Sequence, residues 1–308
     1  MHFLNQKEKV GIVVEYNPFH NGHIYQLNWI KEHFNNPKII VAMSHKYSQR
    51  GEFICASWHS RVKIAKKYGV SKFVKLPVQI SAQAAHIFAS ESVLKLAKKG
   101  IKYLVFGSET ADTELFIKIA RLIKDNQQEY NKLVKKHLKN KGTSFPRATN
   151  LALQELSGED ISMPNDILGL EYVKTIVNHN LDITPIAIKR TVAFHSEETI
   201  QEFASASHIR KMLSENLDVS QYTPMNLKGI NPRLNIENTY SKFQKIIRSK
   251  TPEQLRQYKM ISEGIENLFK KQIDNPDYDS FINACISKRY TASRIKRTYL
   301  FVLLKIKK

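Results

Sequence analysis

The sequence predicts an α/β protein built on a doubly wound parallel sheet, followed by a unit that is mostly helical. Three observations carry this. Apolar strand-like runs alternate with helix-period segments from residue 10 to about 125, glycines sit where two of those helices should stop, and strand signals nearly vanish after Asn216. A boundary near 216 therefore divides a first unit, 1–215, from a second, 216–308.

The first strand is Val10 to Val14, and Asn17-Pro18 ends it. Gly22 allows close backbone approach, and Ile24, Leu27 and Ile30 mark the inner face of the next helix. Lys38–Met43 (KIIVAM) is the second strand, and Ser57–Tyr68 a basic helix stopped at Gly69. Lys72–Val78 (KFVKLPV) follows as a strand, then a long helix over Gln83–Lys99, stopped at Gly100. Ile101–Phe106 (IKYLVF) is the fourth strand. The chain is then mostly helical to about Asn180, with a lysine face of Lys132, Lys135, Lys136, Lys139 and Lys141. Ile183–Ile188 (ITPIAI) is a further strand, and Ser205-Ala206-Ser207-His208-Ile209-Arg210 opens a short helix. Beyond 216, Pro224 and a Gly229–Pro232 turn punctuate the crossover into helix-forming sequence.

Composition narrows the function classes. Hydrophobic residues at 42% and aromatics at 10% describe a globular chain. No run approaches the ~18 apolar residues of a membrane span, and no signal-peptide core opens the sequence. With Cys55 and Cys285 as its two cysteines, the chain reads as a reduced, cytoplasmic protein. Lys and Arg number 48 against 28 Asp and Glu, a net charge of +20 that favours a polyanionic partner.

The turn His20-Asn21-Gly22-His23 carries the chemistry. It lies between a strand end and a helix N-terminus, where open α/β sheets bind ligands and free N–H groups favour phosphate. Two imidazoles there can donate to phosphate oxygens as charge builds in a transition state. The alternatives are a surface turn or a zinc pair. Zinc would need further ligands, and no HExxH or CxxC motif supplies them. Later, Ser207 could cap a helix and bind an oxygen while Arg210 neutralises charge, or the pair could be an ordinary cap and a solvent-facing arginine. Gly107, Asn165 and Arg190 are equally consistent with a strand-end turn, a helix cap and a surface charge.

The turn resembles the HxGH signature of the nucleotidylyltransferase superfamily. The longer string Glu15-Tyr16-Asn17-Pro18-Phe19-His20-Asn21-Gly22-His23 is similar to the opening of the tRNA(Met) cytidine acetate ligase family. Ser207-His208-Ile209-Arg210 resembles the late ISTxxR-like element of these enzymes. Met43-Ser44, Gln49-Arg50-Gly51-Glu52, Leu76-Pro77, Phe88-Ala89, Ser92-Val93, Phe106-Gly107-Ser108-Glu109 and Pro164-Asn165-Asp166-Ile167-Leu168-Gly169 extend the likeness over most of 10–215. The chain departs at Ser44-His45-Lys46, where the family usually has Ser-Gly-His, and it stops earlier than the family usually does.

The resemblance implies a nucleotidylyltransferase-like Rossmann domain that binds ATP, with a basic, tRNA-binding helical domain behind it. His20, His23 and Arg210 would be catalytic. Val13, Val14, Glu15, Tyr16, Asn17, Pro18, Phe19, Asn21, Gly22, Gly107, Asn165, Arg190 and Ser207 would form the ATP site. Lys288, Arg289, Arg294, Lys296 and Arg297 would meet tRNA, with Tyr290 and Tyr299 interleaved for base stacking. Magnesium would travel with the phosphates, without a dedicated protein metal site. The implied reaction joins acetate to ATP as acetyl-adenylate, then acetylates N4 of the wobble cytidine of elongator tRNA(Met). Rivals are a small-molecule nucleotidylyltransferase acting on a phosphorylated acceptor, and a tRNA-binding protein with a degenerate catalytic domain.

Overall fold

Five strands form one parallel sheet in the order β3-β2-β1-β4-β5. They are β1 (Lys9–Val14), β2 (Lys38–Ser44), β3 (Val70–Leu76), β4 (Tyr103–Ser108) and β5 (Thr184–Lys189). The computed structural model describes residues 8–140, 142–190, 202–227 and 235–308. Lys141, the polar loop before Ala204 up to residue 201, and the Gly229–Pro232 turn lie outside the described residues. Parallel neighbours require crossovers, and the helices between strands supply them. The order reverses between β1 and β4, so their C-terminal ends part and leave a crevice.

Side chains of each strand alternate between two cores. Ile12, Ile39, Val41 and Met43 pack with α1 (Asn21–His33), α2 (Trp58–Lys67) and α9 (Ala206–Ser214). Ile40, Ala42, Leu104 and Phe106 face the other way, toward α4 (Ala85–Ala97), α5 (Thr113–Asp125) and α8 (Pro164–Asn178). Between α5 and α8 the chain forms α6 (Gln127–Lys139) and α7 (Phe145–Ser157), which pack against each other. Strands buried on both faces need the near-continuous apolar runs seen in the sequence.

Local chemistry shifts some boundaries. The third strand ends at Leu76 because Pro77 has no N–H for the ladder, and Pro77 instead precedes a short helix, α3 (Val78–Ser81). The long helix expected from Gln83 therefore starts at Ala85. The fourth strand runs Tyr103–Ser108 rather than from Ile101, whose side chain is buried beside Gly11 of β1.

The C-terminal helices form a third core. After a 3-10 turn at Ile236–Thr239 come α10 (Tyr240–Ser249), α11 (Pro252–Arg256), α12 (Ile265–Gln272), α13 (Tyr278–Cys285) and α14 (Ala292–Leu303). Phe243, Phe269, Phe281 and Tyr299 are wholly buried at its centre. Tyr299 stacks on Phe243 with ring centroids 4.0 Å apart, and its hydroxyl lies 2.8 Å from that of Thr239. It is a core residue and offers no face to a base. Tyr290 is also buried, its hydroxyl donating to the Glu263 carbonyl. Val219, Tyr222, Met225 and Leu227 pack with β1 and α1, whereas the helical core begins at Ile236.

Ala82, Tyr47, Phe53 and Val78 of the sheet domain pack against this bundle, and two polar or main-chain contacts help to seat it. Gly51 has φ +86°, and a Cβ there would lie 2.8 Å from the Arg297 backbone nitrogen, so α14 touches its main chain directly. Lys296 pairs with Glu52 at 2.6 Å.

Candidate active site

His20 precedes helix α1 and caps it with extended backbone. The His20 Nδ1 accepts from the Gly22 N–H at 3.1 Å, and the His23 Nδ1 accepts from the His20 N–H at 3.1 Å. Backbone N–H groups can only donate, so both rings must accept at Nδ1. Each neutral imidazole then carries its proton on Nε2. The ring centroids lie 3.8 Å apart, and His23 also stacks on Phe19 and meets Tyr16 edge to face. Burial, with the charges of Arg190 and Arg210, pushes the His20 pKa down to about 3. Burial, His20 and Arg190 hold His23 well below the usual imidazole value. The pair is a neutral double donor at physiological pH.

Both histidines line a cavity of about 910 Å³ that opens at the β1–β4 crevice. Val13, Val14, Glu15, Tyr16, Asn17, Gly22, Gly107, Asn165, Arg190, Ser207 and Arg210 line it too. Pro18, Phe19 and Asn21 do not. Phe19 is wholly buried behind His23, and the Asn21 amide donates to the carbonyls of Glu202 and Gln221. Those three shape the turn and do not face the cavity.

The late element differs from its expected form. Ser205 caps α9, accepting from the His208 N–H at 3.1 Å, while Ser207 sits in the first turn with its hydroxyl 3.0 Å from that of Ser205. Arg210 donates to the Asn17 carbonyl at 2.7 Å, which ties α9 to the end of β1.

Two separated motifs prove to be one joint. The Glu109 carboxylate accepts from the backbone N–H groups of Asn165 and Asp166 and from the Asn165 amide, occupying the start of α8. In return Asp166, 1% exposed, accepts from the Ser108 hydroxyl and the N–H groups of Glu109 and Thr110. Gly169 lets Phe106 lie against the same helix, since a Cβ there would be 2.6 Å from the ring. Arg190 links Asn165 to Gly107: its guanidinium donates to Asn165 Oδ1 at 3.4 Å, and its side chain lies against Gly107. Asn165 is not the helix cap: Met163 holds that position.

Arg61, on the basic helix α2, is a buried support of the site that the residue pattern alone does not single out. It is wholly buried and donates to the carbonyls of Glu15, Ser44, His45 and Ala56, stapling the ends of β1 and β2 under the cavity. Burial brings its pKa down to about 10, so it stays charged. The signal was an arginine four residues before Ala65 on the helix's inner stripe. Glu15 is raised above the usual carboxylate value by burial, against a hydrogen bond from the Gln49 N–H. His45 lies outside the cavity, its ring edge-on to Trp58.

The five basic residues expected to meet RNA separate. Lys288 and Arg289 are exposed, and Arg289 and Arg294 both pair with Glu263. Lys296 is committed to Glu52; burial alone would raise that carboxyl, but the charge and hydrogen bond of Lys296 together with the charges of Arg210 and Arg50 bring its pKa below the usual value. Arg297 is 8% exposed, donates to the Gln83 carbonyl at 3.1 Å and lines the cavity. Lys296 and Arg297 therefore face inward because α14 is a core helix, not a surface one. Among the described residues no group of three His, Cys, Asp or Glu side chains could hold a metal ion, and no helix is long and apolar enough to cross a membrane.

Residues 7–308 match the family model described as HIGH Nucleotidyl Transferase. The chain is 58% identical to the tRNA(Met) cytidine acetate ligase of Mycoplasmopsis synoviae, covering 99% of both chains. It is 34% identical to that of a Geobacillus species, covering 96% of this chain and 77% of the relative. The crystal structure of Thermotoga maritima TmcAL bound with alpha-thio ATP superposes with a TM-score of 0.87 at 31% identity, covering 98% of this chain and 76% of that one. A crevice at the sheet's switch point, two neutral imidazoles turned toward it and this likeness along the whole chain agree: the chain belongs to the HIGH nucleotidyl transferase family and, within it, to the tRNA(Met) cytidine acetate ligases.

Proposed function

We propose that this chain is an ATP-dependent acetate ligase that acetylates N4 of the wobble cytidine in elongator tRNA(Met). The observation that carries the reading is the pair of Nδ1 acceptor bonds, which leaves two Nε2–H donors for a phosphate in the cavity. In the first step an acetate oxygen bonds to the α-phosphorus of ATP, and the bond to pyrophosphate breaks. His20 and His23 stabilise the added charge on the phosphorus oxygens without changing protonation. Arg210 and Arg190 offset charge on the departing pyrophosphate, and Ser207 supplies a hydroxyl beside it. Gly107 leaves room for the Arg190 side chain, whose Cγ would lie 3.3 Å from a Cβ there, and so lets that guanidinium reach the nucleotide's phosphates.

In the second step N4 of cytidine bonds to the acetyl carbon, the C–O bond to AMP breaks, and the amine proton leaves to solvent. A weakly nucleophilic amine needs an activated acyl group and close placement more than a strong base. Magnesium carried by the phosphates would add neutralising charge, held by phosphate oxygens and water rather than by a protein cage.

Incubation of the protein with ATP, labelled acetate and elongator tRNA(Met) tests this, with nucleosides read by mass spectrometry. N4-acetylcytidine at the wobble position, with AMP and pyrophosphate released, is expected. Transfer of AMP to a phosphorylated small molecule, or tRNA retained with no pyrophosphate, would refute it.

A further inference from the structure

With Lys296 and Arg297 committed to the domain interface, the C-terminal cluster is a small electropositive surface by itself. A larger one arises where two distant basic segments meet. Gly142, at the turn after α6, has φ +86°, and a Cβ on it would lie 3.0 Å from the Lys288 Cβ. The α6–α7 turn thus abuts the exposed Lys288-Arg289 turn that leads into α14.

Along α6 runs a shallow depression lined by Gln128, Asn131, Lys132, Lys135, Lys136 and Lys139. Lys132 pairs with Glu129 at 3.5 Å and Lys136 with Glu155 at 3.1 Å, both well exposed. Among the described residues Lys135 and Lys139 make no ion pair. Asn131 borders this depression and the active-site cavity alike. From Lys132 to Lys139 the helix rises about 10 Å, the reach of roughly three phosphates along a strand.

The rim of the cavity on this side is equally specific. Phe145, first residue of α7, is 44% exposed, lines the cavity and lies 5.5 Å from the His86 ring. Thr291 and Ser293, at the start of α14, line the same cavity. A basic band therefore ends at an opening flanked by an exposed aromatic ring, the combination that tracks a phosphate backbone and stacks an unpaired base.

We infer that the α6 lysine face and the Lys288-Arg289 turn form one docking surface for a single-stranded RNA loop, whose target base enters the cavity past Phe145. This rests on the reading of RNA as substrate and adds where the RNA lies.

The test compares the native chain, Lys135→Ala/Lys139→Ala and Phe145→Ala for tRNA binding across a salt series, with ATP binding as the check of folding. The lysine variant should bind tRNA about tenfold more weakly at low salt and lower the log–log salt slope by about 1.5, with ATP binding unchanged. Phe145→Ala should slow acetylation about tenfold at an unaltered slope. If the lysine variant retains the native affinity and slope while the native chain acetylates tRNA, the docking surface is wrong and the substrate reading stands. A native chain that binds no tRNA overturns both.

Discussion

His23 accepts, at Nδ1, a hydrogen bond from the backbone N–H of His20, so the second histidine of the motif holds the first in place. The Gly22 N–H does the same for the His20 ring. A helix capping box built from imidazoles thus serves as a device for setting tautomers: the groups that satisfy the first turn of α1 are the groups that aim two N–H donors into the cavity.

Replacing His23 by alanine removes one donor and one cap. Loss of a single preorganised donor costs about 10²- to 10³-fold in rate. ATP consumption in the presence of acetate should fall by that factor, and His23→Asn, which can still accept from the His20 N–H, should fold better yet recover little rate.

Stability should depend on pH in a stated direction. A buried histidine whose folded pKa is about 3 resists protonation, while the unfolded chain protonates near 6.5. The unfolded state therefore gains protons first as pH falls. Stability is fully present above the unfolded value and is lost progressively toward the folded one. Between pH 7 and 5 the unfolding free energy in urea should drop by about 2 kcal/mol less in His20→Asn than in the native chain.

Gly51→Ala should loosen the helical unit. Its φ of +86° is costly for any side chain, about 1 kcal/mol, and the added methyl meets the α14 main chain at 2.8 Å, where nothing can swing aside. A loss of about 2–4 kcal/mol is expected in urea unfolding, with proteolysis near the junction accelerated.

Arg61→Lys should cost more than a charge-conserving change usually does. A lysine cannot span the four carbonyls that the guanidinium bridges, and it leaves buried acceptors unpaired. About 3 kcal/mol of stability should disappear, together with ATP affinity, because the ends of β1 and β2 are no longer held together.

Much of the site was legible in the chain because it is local. The HNGH turn, the preceding strand and the following helix are contiguous, so strand period, breaker and helix period locate the crevice without knowledge of packing. Boundaries were less legible where a proline or a plugging side chain intervened, as at Pro77 and Ile101.

What the amino-acid order determined by itself was the alternation of strand and helix, the paired-histidine turn at the end of the first strand, and the excess of positive charge. Tertiary structure alone decided which polar groups serve that site. The link from Glu109 to Asp166 joins residues 57 apart, Arg61 reaches carbonyls of three separate segments, and Lys296 with Arg297 turns inward because α14 is enclosed by its bundle. Burial and long-range hydrogen bonding depend on what lies across the fold. A basic residue at a surface and one at an interface look alike in sequence, since periodicity reports the face of a helix and not its neighbours.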